Sequence, residues 1–571
     1  MANKQMALLL PSALLIFLLL SHHQTNAFCF VTTMSTPKIF PLIRCTKTSS
    51  EEEHTHSSSD DDSVLEGNRK KNLDLMIADK KETINSCRQP HQYQHQDNQK
   101  PQRRFERPVK APASMVQTLR ALNSKHVSHF FLQNAVATGS KIFRLRLAIP
   151  GTNVIVVGDM RIAKKILCDK ATTKPGYVYA SYRSITGKRS SFSSSDNDKL
   201  YQAIHAKVIK PSISLVETRR MNDIMESRSS QWIEDVILPL AERQEPFDPF
   251  ELCCRFMFDT FMESGFEYDT NDEDFNVLKD MLEIAFPFFL PVRNPFSSSR
   301  KAKKAVKELQ RFGQRVLELY RNSGNKGCNN SFIKAIEDKD GPFNDDEERI
   351  AEIIDLCIAS FLTTAAFLSS VLVQLAQNPT NVSDTFQKHL RNNHDEEAAK
   401  YMEHVISETE RLNSPSGAYS SIRQTGRDIF YEKHGKEGNV SSNDDVVGII
   451  PKGSIVLVSM NIVGKSPDIF SDPQSFTPER WNEASSDMVE SRSFTMFSAG
   501  SRACPGRSLA YASMYCIIPK IMSRFSLKMA TAADADVDGD FVFNGLVSHY
   551  QGTRLILAHS NIIGSDNKIE E

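Results

Sequence analysis

Phe497-Ser-Ala-Gly500-Ser-Arg502-Ala-Cys504-Pro-Gly506 lies near the end of a 571-residue chain and decides how the rest is read. Its pattern is F-x-x-G-x-R-x-C-x-G, and each fixed position has a physical use around one metal. Cys504 reads as a thiolate ligand. Gly500 and Gly506 carry no Cβ, so the loop can pass close to a flat ligand and take backbone angles that other residues resist. Arg502 suits a ligand carboxylate, through charge-assisted hydrogen bonds. Phe497 is placed to cover the thiolate and limit water. The plainer alternative is a free cysteine in a glycine-containing turn.

Working outward, Glu408-Thr-Glu-Arg411 sets a carboxylate and a guanidinium at i and i+3, on one face of a helix. Such a pair alone is often just solvated surface. Phe476-Thr-Pro478-Glu479-Arg480-Trp481 comes after it, and between the two lies Ile450-Pro451-Lys452-Gly453 ahead of the apolar run Ile455-Val-Leu-Val458. In this order the four segments resemble the cytochrome P450 superfamily of haem-thiolate enzymes, and the cysteine loop matches that family at every fixed position. The resemblance spans roughly Pro108 to His559 and implies a mainly α fold with small β-sheets, in the N-terminal half and after Ile449. It implies Cys504 as the axial ligand of a haem b iron, a thiolate that favours O–O cleavage, with Arg502 on a propionate. It also implies a buried structural network of Glu408, Arg411 and Arg480, with Glu410 the less suitable partner by spacing. Charges so buried must be paired.

Further upstream, Asn344-Asp-Asp-Glu347 resembles a capping box opening a helix that runs to about Gln377, where Asn378-Pro379 stops it. In the family such a helix crosses the haem and carries A-G-x-D/E-T-T; here the matching residues are Ala359-Ser-Phe-Leu-Thr363-Thr364. Thr363 takes the place of the threonine that helps deliver protons, and Thr364 stands beside it. The acid is missing, with Leu362 in its position, and Ser360 replaces the glycine. A helix hydroxyl bonded to its own i−4 carbonyl is the plainer reading of Thr363. Phe361, Leu362 and Ala365 are expected above the haem, which suggests an apolar reacting group. The family's W-x-x-x-R propionate contact is imperfect: Tyr201 and His205 have the spacing, Lys207 comes next, and Pro211 stands one residue later than usual. Arg423 lies where the family often has another haem-pocket arginine.

A formal net charge of −1 gives no support for a nucleic-acid partner. The ten cysteines are scattered, so free thiols and one metal-ligating cysteine are expected. Lys4, the apolar run Ala7–Leu20 and Thr25-Asn-Ala27 read as a signal peptide or signal anchor over 1–27. Residues 28–50 are basic and Ser/Thr-rich, and the first acidic residue is Glu51. Together these resemble the two-part plastid leader of diatoms and related algae; retention at the endoplasmic reticulum membrane is the alternative. Residues 51–107 are too polar to offset ordering entropy and read as a disordered linker. A haem-thiolate domain over 108–560 and a polar tail over 561–571 complete the division.

The function implied is insertion of one oxygen atom from O₂ into a C–H bond of an apolar or isoprenoid small molecule. Electrons come from NADPH through a reductase, or from a ferredoxin, because no flavin or nicotinamide domain accompanies the motifs. A monomer is expected, and the leader also allows membrane association. Successive methyl oxidation in specialised metabolism, as in the kainoid (domoic acid) pathway, is one concrete form. The alternatives are an O₂-independent isomerase or lyase of fatty acid hydroperoxides, which the missing acid invites, and a non-enzymatic haem sensor. Hydroperoxide enzymes typically have a longer, altered cysteine loop, whereas this one has ordinary spacing.

Overall fold

The computed structural model describes residues 105–560 except 123, 148–151, 180–181, 285–299, 325–330, 392–394, 417–420, 433–446, 495, 531–540 and 545–546. The leader, the transit-like segment, most of the linker and the C-terminal tail expected from the sequence lie outside the described residues.

Asp345 opens the longest helix among them, Asp346–Gln377. Its carboxylate accepts the Glu348 N–H at 2.8 Å, while the Glu348 carboxylate accepts the Asn344 N–H at 2.9 Å. This reciprocal cap falls one residue later than the Asn344–Glu347 pairing expected, because Asp345 is the residue with extended backbone. The helix stops at Gln377, ahead of Asn378-Pro379, as expected. At about 1.5 Å per residue its 32 residues reach roughly 48 Å. It is apolar all round because protein surrounds it: Ile353, Ile354, Phe361, Phe367, Leu368 and Val371 are all buried.

Phe258, on helix Pro249–Phe266, meets Phe361 edge-on at 5.6 Å and Phe312 at 6.0 Å. Phe312 belongs to helix Arg300–Asn322, whose Gly313 allows close approach to the central helix: a Cβ there would lie 3.0 Å from Ile350 Cγ2. Helices Asp395–Leu412 and Arg507–Arg524 add buried faces to the same core.

The β-structure is small and joins distant parts of the chain. A five-stranded sheet runs in the order Val109–Lys110, Ile142–Arg144, Val154–Val157, Ile455–Val458, Ser421–Gln424. Val154 pairs with Ile455 in a parallel ladder, and Arg423 faces Val456 in an antiparallel one. Phe105–Glu106, at the end of the stretch read as disordered linker, instead forms a strand parallel to Val447–Gly448. Phe105 packs on Phe430 at 5.4 Å, which gives this short polar segment an apolar anchor. Cys253, Cys254, Cys357, Cys504 and Cys516 are free thiols, but Cys168 is disulfide-bonded, against the expectation from cysteine spacing.

Candidate functional site

The cysteine loop is a strained turn that leads into helix Arg507–Arg524. The Cys504 N–H donates to the Phe497 carbonyl at 2.8 Å, closing the loop. Ser498 (φ 60°) and Gly500 (φ 74°) both adopt left-handed backbone. Gly500 is obligatory, since a Cβ there would lie 2.1 Å from the Leu167 carbonyl oxygen. Gly506 is different: its Cβ would meet only the Cys504 sulfur, at 3.9 Å, so the space it leaves opens beside the thiol. Phe497 is buried against the Tyr511 ring at 5.2 Å. Cys504 has exposed surface, yet desolvation raises its thiol pKa, against the opposing pull of the Gly506 N–H and Arg507. Both facts stem from one geometry, a thiol set deep in protein that opens onto an internal cavity. A metal binding there would deprotonate it outright.

That cavity encloses about 1280 Å³ including its mouth, and it lies between the cysteine loop and the central helix. Thr363 and Thr364 line it from the helix, with Ala359 and Ser360, opposite Cys504 and Gly506. The Thr363 hydroxyl donates to the Ala359 carbonyl at 2.9 Å and the Thr364 hydroxyl to the Ser360 carbonyl at 2.8 Å. Thr363 is therefore both the back-bonded helix hydroxyl and a cavity-facing one. Phe361, Leu362 and Ala365 do not line the cavity; all three are buried in the core. The reason is helical phase, because Leu356, Ala359, Ser360 and Thr363 share one face. Leu362 leaves the acid's position filled by a core side chain.

Arg502 of the cysteine loop belongs to a cationic cluster with Arg423 and Lys174, none of which lines the cavity itself. Arg423 is buried, and among the described residues its guanidinium makes one hydrogen bond, to the Ile422 carbonyl at 3.3 Å. Arg502 is held by three: Asp196 Oδ1 at 2.9 Å, the Ser191 carbonyl at 3.1 Å and the Ser194 carbonyl at 2.7 Å. It also stacks on the Tyr201 ring at 3.2 Å. Among the described residues these three bonds engage three of its five N–H groups. Lys174, which carries no motif in the sequence, is buried with its ammonium over the Tyr179 and Phe192 rings, at 3.9 and 3.7 Å. Burial, then Arg502 and Arg423, push its pKa well down. Burial alone would raise Asp196, but the Lys174 N–H and Arg502 hold it below the usual carboxylate range.

His205 is exposed, and desolvation together with Arg502 lowers its pKa, which favours the neutral ring. Lys207 donates to the Asp340 carbonyl at 2.6 Å and is committed there. His205–Ile209 is a π-helical turn, which absorbs the extra residue that delays Pro211.

The structural trio is assembled around Glu408, which is fully buried. Arg411 grips it bidentately at 2.9 and 2.7 Å, Arg480 donates at 2.9 Å and the Trp481 indole at 3.0 Å. Arg411 also binds the carbonyls of Gly464, Pro473 and Ser475. Glu410 instead accepts from the Tyr511 hydroxyl at 2.7 Å, away from the trio.

These residues fit a flat, dianionic metal cofactor. A buried guanidinium with most donors unfilled, beside Lys174 and Arg502 and compensated by Asp196, calls for further negative charge. The open space at Gly506 lets a flat ligand reach the sulfur.

The cytochrome P450 family model matches residues 108–552. Abscisic acid 8'-hydroxylase 1 of Arabidopsis thaliana is 28% identical over 276 residues, 45% of this chain and 53% of that protein. A cytochrome P450 monooxygenase of Talaromyces stipitatus is 31% identical over 219 residues, 36% of this chain and 40% of that protein. Cyclooctat-9-en-7-ol 5-monooxygenase of Streptomyces melanosporofaciens is 22% identical over 385 residues, 64% of this chain and 78% of that protein. The chain thus spans about half, or less, of the first two relatives. With the family model covering most of its length, on a mainly helical fold whose cysteine loop faces a threonine-bearing helix across one cavity, the chain belongs to the cytochrome P450 family.

Proposed function

We propose that this protein is a haem-thiolate monooxygenase that inserts one oxygen atom from O₂ into a C–H bond of an apolar small molecule. The observation that carries the reading is that Cys504 and Thr363 line one cavity, on opposing elements. The haem, when bound, supplies the oxygen-activating redox chemistry. Cys504 would hold its iron as a thiolate, and Arg423, Lys174 and Arg502 would hold its propionates. Phe497 keeps water from the thiolate side. The Thr363 hydroxyl, bonded to Ala359 and facing the cavity, holds a proton at Oγ1 where it can be passed on through water. No carboxylate shares the cavity wall among the described residues, so that hydroxyl and water carry the transfer.

Electrons come from a separate reductase or ferredoxin. We place the protein in the plastid on its leader composition, and a fluorescent fusion to residues 1–107 tests that. Two relatives bear names of oxygenases of abscisic acid and of cyclooctat-9-en-7-ol. An isoprenoid substrate is our reading for this chain, with successive methyl oxidation as in kainoid pathways its most concrete form. The deciding experiment is turnover of an isoprenoid panel with reductant and O₂, beside a fatty acid hydroperoxide with neither. Rapid rearrangement of the hydroperoxide, with no O₂-dependent product, would replace this reading with an isomerase.

A further inference from the structure

Asp355 and Glu352 lie on the central helix just before its cavity-facing stretch, and neither lines the cavity. Both are buried. Their hydrogen bonds go to a turn, Ser190–Ser194, that is itself folded by mutual Ser190–Ser193 contacts. The Ser191 N–H donates to Glu352 Oε2 at 2.8 Å and the Phe192 N–H to Asp355 Oδ2 at 2.8 Å. The Ser191 and Tyr182 hydroxyls donate to Asp355 at 3.1 and 3.0 Å. On its other side the same turn offers carbonyls: Ser191 and Ser194 accept from Arg502, and Phe192 accepts from Lys174. Two consecutive residues, Ser191 and Phe192, thus have their N–H on a helix carboxyl group and their C=O on a cation of the cofactor edge. In a buried setting such dipoles, aligned between opposite charges, strengthen one another.

We propose that Asp355 is a positioning residue for the cofactor's anionic edge: it holds the Ser190–Ser194 turn, whose carbonyls aim Arg502 and Lys174 at the propionates. The inference rests on the haem-thiolate reading. Arg502 has three of its N–H groups fixed by Asp196 and the turn, so the direction of the remaining two is set by where the turn sits. Lys174 is tied to the same turn through the Phe192 carbonyl and to Asp196 through its own N–H. Asp355 never touches the cofactor; it acts through the peptide groups.

The test compares wild-type and Asp355→Asn holoenzymes. Haem transfer to excess apomyoglobin should accelerate about tenfold or more, the worth of one charge-assisted hydrogen bond. The propionate-bending band in resonance Raman should shift, and backbone hydrogen exchange should rise over 182–196. The thiolate signature of the reduced carbon monoxide complex should stay. In an Arg502→Gln background, Asp355→Asn should have most of its effect removed. A wild-type transfer rate and propionate band in Asp355→Asn would overturn the inference, as would an undiminished effect in the Arg502→Gln background, the mark of a purely structural role. If Asp355→Asn does not fold, Tyr182→Phe removes one donor to Asp355 and should accelerate transfer about threefold; no acceleration there overturns the inference. Wild-type protein that takes up no haem would sink the functional reading and the inference together. Haem-loaded wild type with an unperturbed Asp355→Asn would sink the inference alone.

Discussion

Cys504 and Glu352 are both desolvated acids, and they answer to pH and mutation differently. Serine in place of Cys504 keeps the loop, since the closing bond to Phe497 comes from the backbone. Cys504→Ser should nevertheless lose the red-shifted thiolate band of the reduced carbon monoxide complex. Retention of that band, with loss in another cysteine variant, would move the ligand elsewhere. Thr363→Ala removes the cavity-facing hydroxyl and leaves the helix intact; product formed per electron consumed should fall severalfold, with the deficit appearing as peroxide. Glu352 is pushed up to about 8 by burial and then by Asp355, and its Oε1 accepts no hydrogen bond among the described residues. It faces Asp355 on its own helix and the Ser191 peptide across from it. The folded state therefore keeps a proton that the unfolded chain releases near pH 4.5, and stability from this group is lost as pH rises from there to about 8. Glu352→Gln should remove that slope, gaining on wild type by a few kcal/mol across the window. Parallel denaturation curves at pH 5 and pH 8 check the sign.

At the scale of elements, contiguous motifs are legible in the sequence and contacts between distant segments are not. The cysteine loop, the Glu408–Arg411 pair and Arg480 each announce themselves by local spacing, because one turn or one helix face sets their geometry. Lys174, Asp196 and Asp355 carry no such signal. Asp196 meets Arg502 from 306 positions away and Asp355 meets Phe192 from 163, distances that only the folded chain closes. The phase of the central helix is hidden for a related reason. A helix apolar on every side offers no stripe to mark which face meets the cavity, so the expectation that sets Phe361, Leu362 and Ala365 over it fails, and all three are core. The Glu408 network ties helix Asp395–Leu412 to the Pro478–Glu483 turn. Glu408→Ala would strand the buried Arg411 and the partly buried Arg480, at a cost of about 3–5 kcal/mol. Little folded, haem-loaded protein should be recovered; normal haem content with an altered product would make the trio catalytic instead.

For the molecule as a whole, the five-stranded sheet pairs Val154–Val157 with Ile455–Val458, so the two ends of the described chain fold as one. A cofactor bound only by the folded protein adds stability by mass action, about 4 kcal/mol at a thousandfold excess over its dissociation constant. Haem-loaded wild type should therefore melt several degrees above both the stripped protein and Cys504→Ser, monitored by circular dichroism at matched concentrations. Equal melting points would mean that the cavity does not bind haem selectively in the folded state.

The wide turn at His205–Ile209 works as a one-residue buffer that keeps the two sides of the same helical segment in one phase. Deleting Ala206 would let that turn tighten to ordinary α geometry, so the residues before it would keep their angular place relative to those after it. Tyr201 would then still cover the Arg502 guanidinium, as it now does at 3.2 Å, while Ile209 and Ile213 would keep their places on the cavity wall. A single-codon deletion here thus becomes a tolerated one: the wide turn is slack in the helix, and taking it up disturbs neither the charged edge nor the apolar one.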